Sequence, residues 1–365
     1  MSAERSAVVA GIGATRFAVR SRASEAALAV RAIAAALSDA GLGPADVDGV
    51  VRFDREAVWE YDLAFALGIT SIGFYNAVPF GAGAAPALLR LAALAIGEGL
   101  ASVVLGWHAR SRRATLPPLV GAEQFQVPFG LDGTAAVCAL LFRRHAHRYG
   151  TPPEALEVVA TTLRRQAARN PRALLRRRPL GRAAYRQSPL VAEPLRRADV
   201  AGEAAGACAF VVTSLARARD LRRPPVAVLA TMQVGLPSAD RELPDFVRFD
   251  RERTMARAAQ ALFGAAGLPP GGADVAFFHD AASPLVLLGL EDFRFCPRGA
   301  SGPFVLGGGL GGSRVNPSGG QLAEAHLDGV NNLVAGVREA RRGATVLVAG
   351  SALEPTSAVL LGLAC

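Results

Sequence analysis

AGLGPADVDGVVRF (40–53) and AGLPPGGADVAFFHD (266–280) spell the same order of events: a glycine that stops a helix, a turn, an acidic residue and an apolar strand. Each follows a helical pattern. SEAALAVRAIAAALSDAGL (24–42) has Ser24 as N-cap and Gly41 as stop, and RTMARAAQALFGAAGL (253–268) stops at Gly267. A second pair, ALLRLAALAIGEGLASVVLGWHA (87–109) and NNLVAGVREARRGATVLVAGSA (331–352), reads helix, glycine stop, strand in both copies. The spacing predicts an internally duplicated α/β fold with halves at 1–222 and 223–365. Strands alternating with helices predict largely parallel sheets, with sites at the carboxyl ends of strands. SAVVAGIGATRF (6–17) reads as the first strand. Residues 111–190, rich in Pro, Arg and helical pattern, read as an insertion.

At 365 residues the chain can hold two domain-sized cores or one large duplicated fold. Its 51% hydrophobic content and mean hydropathy of +0.27 are inflated by alanine. No run of about 18 apolar residues lacks a charge, so no membrane span is expected. The opening residues read as a strand bounded by Arg16, not a signal peptide. Cys138, Cys208, Cys296 and Cys365 are scattered without a CxxC pair, which predicts reduced thiols, a cytoplasmic setting and no metal site.

The net charge is +9, and all 40 basic residues are arginine. Without a lysine amine, Schiff-base aldolase and pyridoxal chemistry are excluded. The basic run LRRQAARNPRALLRRRPLGRAAYR (163–186) contains one tyrosine. It lacks the interleaved aromatics of a nucleic-acid binder, so no nucleic acid is expected. Guanidinium forks suit phosphate oxygens, although most of this run reads as a solvated face.

NPSGGQLAEAH (316–326) follows the glycine-dense VLGGGLGGSRV (305–315). The glycines run on into a turn instead of opening a helix, so a dinucleotide fingerprint is rejected. His326 lies just inside the next helical pattern, where it either does chemistry beside a ligand or packs as a hydrogen-bonded core histidine. His279 closes the apolar strand VAFF, a placement suited to acid–base work near neutral pH. Asp280 either orients that imidazole or caps the following helix. His145 and His147, two apart in LLFRRHAHRYG (140–150), point to different sides and read as a solvated face.

NPSGG followed by histidine at this spacing resembles the thiolase superfamily. FFHDAASPLVLLGLEDFRFCPRG (277–299) is similar to the HDAF-type segment of sterol carrier protein x-type thiolases and their lipid-transfer-protein-like relatives. RRHAHRYGTPPEALEVVATTLRRQAARNPRA (143–173) and SPLVAEPLRRADV (188–200) resemble the same subgroup, so the likeness spans nearly the whole chain. It implies a thiolase fold, a duplicated five-layered αβαβα with an inserted loop subdomain. It further implies a homodimer acting on coenzyme A thioesters, with no covalent cofactor. The strand ASVVLGWHA (101–109) is expected to pair the two copies.

The resemblance fails at the nucleophile. Thiolases carry a cysteine at the start of the helix after FYNAVPFGAGAAPALL (74–89), where Gly81 to Ala85 are glycine and alanine. A second would stand near VAGSALEP (348–355), where Gly350 and Ser351 are found. Without a thiolate no acyl-enzyme of the usual kind forms. The likeness then implies chemistry through an enolate, above all retro-aldol cleavage of a β-hydroxyacyl thioester. His326 with backbone N–H groups near Ala82, Ala85, Gly350 and Ser351 would hold the enolate, and His279 with Asp280 would move the proton. Asn316, Ser318, Gly319 and Gly320 would line the substrate. Thiolase-like aldolases of this kind work with an OB-fold, zinc-ribbon companion subunit. They generally carry a tyrosine in the segment holding His326, whereas Tyr61, Tyr75, Tyr149 and Tyr185 all lie in the first half of this chain, which points to a different acyl group. The competing readings are an acyltransferase or Claisen-type condensing enzyme, and a non-catalytic partner subunit.

Overall fold

Local signals place the first helix of each half where the sequence predicts it, but His326 lies outside any helix, in a bridge to Glu203 between Gly320–Ala323 and Val330–Ala340. Ser24 accepts the backbone N–H of Ala27, and Gly41, at φ 78, closes the helix Glu25–Ala40. Gly267, at φ 66, turns the chain out of Thr254–Ala265. The protein is described by a computed structural model over residues 6–79, 84–111, 124–235, 253–311, 315–350 and 355–364.

The described strands are β1 (Ala7–Ala14), β2 (Gly49–Phe53), β3 (Phe74–Val78), β4 (Val103–Arg110), a small hairpin of β5 (Leu190–Ala192) and β6 (Leu195–Arg196), β7 (Gly206–Ser214), β8 (Val226–Val234), β9 (Val275–Phe278), β10 (Val346–Gly350) and β11 (Thr356–Leu363). Nine of them form a sheet in the order β3-β2-β4-β7-β1-β8-β11-β10-β9. The duplication is visible in that order. From the seam outward, β1-β7-β4-β2 matches β8-β11-β10-β9, with the same strand directions in both. The seam itself is the pairing of Val8 with Ala227 and Val9 with Val226.

The expectation of largely parallel sheets is corrected. β2 pairs in parallel with β3 and β4, and β9 with β10, but β7 and β11 run antiparallel to both neighbours. β10 reaches β11 through a short connection, which permits only an antiparallel return.

The helices Ala84–Gly97 and Val330–Ala340 each pack against strands of both halves, forming the middle layer. Leu88, Leu89, Leu333, Val334 and Val337 fill it together with Val51, Val104, Phe277 and Val359 from the strands. Glu25–Ala40 covers the outer face of the first half, and Thr254–Ala265 that of the second. This is the expected αβαβα layering. No helix among the described residues is long and apolar enough to cross a membrane.

Between β4 and β7, the helices Gly133–Tyr149 and Glu154–Arg169 pack on Ser283–Asp292, whose residues are all buried. Here His145 departs from the sequence reading. It is buried, not solvated, with Nε2 2.9 Å from Glu291 Oε1 and Nδ1 2.9 Å from Thr151 Oγ1. Its side of the helix faces the core, and the burial is tolerated because both ring nitrogens have partners. His147 is exposed as expected.

The expected dimer strand is also corrected. β4 is flanked by β2 and β7, so it offers no free edge. At that end of the sheet the outermost described strand is β3, whose exposed Tyr75 meets exposed Tyr61 edge-on at 5.7 Å between ring centroids.

Candidate active site

The carboxyl ends of β2, β4 and β9 converge with the start of the Ala84–Gly97 helix. His279 follows β9 directly and donates its backbone N–H to Ala349 O on neighbouring β10. Its ring is buried, and Gln321 donates its side-chain amide to Nδ1 at 2.9 Å. Nδ1 therefore accepts, and Nε2 carries the ring proton. Burial, aided by the nearby His326, pushes the pKa down to about 4 against the pull of Asp328. His279 is a neutral imidazole at physiological pH.

Asp280 is fully buried and turns away from this chemistry. Its two oxygens accept the backbone N–H groups of Gln321 and Leu322, at 2.8 and 3.2 Å, and Asn332 Nδ2 donates to Oδ1 at 3.3 Å. It thus caps the short helix Gly320–Ala323, forty residues on, and not the helix Ser283–Asp292 that follows it, so neither sequence reading of Asp280 holds. Burial pushes its carboxyl up to about 6, against these hydrogen bonds. Gly320, at φ 60, allows the approach: a Cβ there would lie 2.1 Å from Asp280 Oδ2.

The NPSGG turn is tied to β9 through Asn316. Its backbone N–H donates to Ala276 O, its Oδ1 accepts from Phe278 N at 2.8 Å, and its Nδ2 donates to Phe278 O at 3.0 Å. One side chain therefore completes the backbone bonding of the strand end that carries His279. Ser318 contributes to a cavity of about 240 Å³ with Arg169, Asn170, Arg172, Glu324 and Arg338. Its carbonyl accepts from Asn170 Nδ2 at 3.0 Å. A second cavity, about 560 Å³, includes Arg164, Arg165, Arg182, Leu180 and Val305. The arginine run therefore contributes to two hollows as well as to the solvated surface.

His326 sits beside Asp328, with Nε2 3.8 Å from Oδ1. Burial lowers its pKa, and Asp328 opposes the shift. Asp328 Oδ2 is bound by Arg110 Nη2 at 2.9 Å and lies 3.0 Å from His108 Nε2. On the other side of that ring, His108 Nδ1 is 2.7 Å from Glu56 Oε2. Burial alone would push His108 down, but Glu56 and Asp328 outweigh it and carry the pKa to about 9. His108 is thus a buried imidazolium between two carboxylates. Asp328 is held well below the ordinary carboxylate range, because His108, His326 and Arg110 outweigh the cost of its burial.

Gly329, at φ 86, joins these groups to the middle-layer helix. A Cβ placed on it would lie 3.3 Å from Ala85 Cβ and 3.6 Å from His279 Nδ1. Gly329 thus lies between the first turn of Ala84–Gly97 and the His279 ring, and the backbone N–H groups of that turn form an electropositive end. Gly350 closes β10, beside the strand that leads to His279. Ala82 and Ser351, two of the expected oxyanion residues, lie outside the described residues.

The described cysteines play no part in this arrangement. Cys138, Cys208 and Cys296 are buried, and burial raises all three thiols, to about 12 for Cys138 and Cys296. Sequence reading missed Glu56, His108, Arg110, Gln321 and Asp328. A signal existed for two of them. In VVLGWHAR the strand alternation sets Leu105, Trp107 and Ala109 on one face and His108 with Arg110 on the other, at the carboxyl end of the strand.

A family model described as thiolase C-terminal domain-like matches residues 243–350. The chain is 34% identical to the 17-hydroxy-3-oxo-4-pregnene-20-carboxyl-CoA lyase of Mycobacterium tuberculosis, over 98% of this chain and 99% of the relative. It is 35% identical to a steroid side-chain-cleaving aldolase of Thermomonospora curvata, over 98% and 97%. The solved structure of an Ltp2-ChsH2(DUF35) aldolase superposes with a TM-score of 0.93 at 36% identity, covering 100% of this chain and 99% of that one.

Proposed function

This chain belongs to the thiolase-like aldolases of the thiolase superfamily, and from that premise we propose that it cleaves a β-hydroxyacyl-CoA by a cysteine-independent retro-aldol reaction. The observation that carries this reading is a pair of histidines, held neutral by burial, beside the Asp328–Gly329 turn. Gly329 lies between His279 and Ala85 in the first turn of the Ala84–Gly97 helix, and His326 stands beside a carboxylate.

The geometry favours roles exchanged from those the sequence suggested. His326, with Nε2–H toward Asp328, leaves the Nδ1 lone pair to take the proton from the substrate's β-hydroxyl. The O–H electron pair becomes the new C=O bond, the Cα–Cβ bond breaks, and its electrons move into the thioester as an enolate. His279, with Nε2–H fixed by Gln321, donates to the enolate oxygen, joined by N–H groups of the helix start. Protonated His326 then returns the proton to Cα. The products are a carbonyl compound and a shorter acyl-CoA, so protons and electrons balance. Preorganised donors aimed at the developing oxyanion supply the largest part of such a rate enhancement.

In this reading Asn316, Ser318, Gly319 and Gly320 act through the turn that holds His279 and Gln321 in place, and Asp280 secures it. Gly350 lies at the strand end beside this oxyanion site. No covalent cofactor takes part. The enzyme works as a homodimer with a companion subunit of the DUF35 kind, and its scattered cysteines support a cytoplasmic setting. β3 and its flanking aromatics supply the dimer face, since an apolar sheet edge left bare invites aggregation.

The test is product analysis with β-hydroxyacyl-CoA substrates. Equimolar carbonyl compound and shorter acyl-CoA are expected. Release of free coenzyme A would instead establish acyl transfer, and binding without turnover a non-catalytic subunit.

A further inference from the structure

Asp328 is bound asymmetrically. Oδ2 takes Arg110 Nη2 at 2.9 Å and faces His108 Nε2 at 3.0 Å, while Oδ1 is turned to His326 Nε2 at 3.8 Å. Its backbone sits at φ 48, a left-handed conformation uncommon for a residue with a side chain, and Gly329 follows at φ 86. Behind it, His108 is clamped by Glu56 Oε2 at 2.7 Å, and Glu56 Oε1 accepts the backbone N–H of Ala109 at 3.1 Å. Glu56 is buried. A buried chain of alternating charge thus runs from the end of β2, through β4, to the segment that carries His326. Structural ion pairs do not need a strained backbone to leave one carboxylate oxygen facing a histidine.

We propose that Glu56, His108 and Arg110 are positioning residues that hold Asp328 ionised and aimed, so that its second oxygen orients the His326 ring and sets its basicity. This rests on the reading of His326 as the base. Asp328 binds Nε2–H and presents Nδ1 to the substrate, the 3.8 Å separation tightening to a hydrogen bond in the substrate complex. His108 and Arg110 keep the carboxylate from attracting a permanent proton onto His326, which would leave no base. The charged and titratable groups facing His326 are Asp328 on its own segment, His108 and Arg110 from β4, Glu203 bridged to its backbone, and His279 after β9. The device is a balance. The carboxylate raises the basicity of His326, and two cations limit the rise.

The balance predicts pH shifts of opposite sign. Activity as a base is lost when His326 is protonated, so its pKa sets the acid limb of kcat/KM. Asp328→Asn removes the group that favours protonation. It should move the acid limb down by about one pH unit and lower kcat at least tenfold, with KM little changed. Arg110→Gln removes a cation and should move the limb up, and Glu56→Gln combined with His108→Gln should do the same. Arg110 is partly exposed, so its variant keeps the fold, which melting curves verify. Should Asp328→Asn fail to fold, the other two variants carry the test alone.

An unmoved limb, or limbs displaced in the same direction by loss of the carboxylate and of the cations, overturns the positioning role. Full turnover in His326→Ala instead overturns the underlying reading of His326 as base, whatever the other variants do. A merely structural network would change melting temperature and leave the limb where it is.

Discussion

The side-chain amide of Gln321 donates to Nδ1 of His279 at 2.9 Å. That contact assigns the ring proton to Nε2, so a histidine that sequence reading cast as a proton shuttle is built as a hydrogen-bond donor. The amide orientation is the economical one. It leaves Gln321 Oε1 without a partner, whereas the reverse orientation would turn the two-proton amide nitrogen into that unpartnered position.

Gln321→Glu should reverse the tautomer, because a carboxylate at Nδ1 draws the ring proton to that side. Turnover is expected to fall roughly 10²-fold, the cost of one lost oxyanion donor. Melting temperature and kcat, measured on the same preparation, check this. Unchanged kcat in a folded variant removes His279 from the oxyanion site.

His326→Ala should lower turnover roughly 10²-fold or more, while binding of an unreactive acyl-CoA changes little. A histidine that only packs gives the opposite outcome: lower stability and normal turnover per folded molecule. Turnover, calorimetry and ligand titration separate the two.

The buried imidazolium makes stability depend on alkaline pH. His108 has a pKa of about 9 in the fold against 6.5 unperturbed. Its contribution, about 3 kcal/mol, is therefore fully present below pH 6.5 and lost as pH rises through 9. Chemical denaturation at pH 7 and pH 10 should reveal the loss in the wild type. The Glu56→Gln, His108→Gln double variant should be flatter across that range.

Thiol reagents should leave activity intact. Cys138, Cys208 and Cys296 are buried with raised pKa values, and a thiol reacts as its thiolate. Activity lost in step with modification of one of these cysteines, in protein that remains folded, would falsify the cysteine-free mechanism.

The dimer proposal is read by light scattering. The wild type should be a dimer at micromolar concentration. Tyr61→Glu with Tyr75→Lys, exposed positions whose rings meet at the β3 edge, should produce a monomer. A monomeric wild type ends the proposal.

The duplication, the capped helices Glu25–Ala40 and Thr254–Ala265 and the loss of the nucleophile were legible in the chain, whereas the helix expected around His326 is broken into Gly320–Ala323 and Val330–Ala340. They are local or repeated signals: Ser24 and Gly41 act within one turn, paired helix–strand units declare themselves by recurrence, and an absent cysteine needs no coordinates. His279 and His326 stood out as candidates for a related reason, since each follows a strand end or a glycine-rich turn. The partners of these histidines were not. Glu56, His108 and Asp328 come from three segments far apart in sequence, and nothing in any one of them records the 2.7 and 3.0 Å contacts that join them. Strand direction was misjudged because alternating helices and strands do not encode which way β7 and β11 return. His145 was misplaced because one helical turn does not say which neighbour will cover it. Sequence determined the units and their punctuation, which depend on neighbours a few residues away. Only the tertiary structure decided the charge state of His108, the tautomer of His279 and the aim of Asp328. Those depend on burial and on partners that folding alone brings within hydrogen-bond reach.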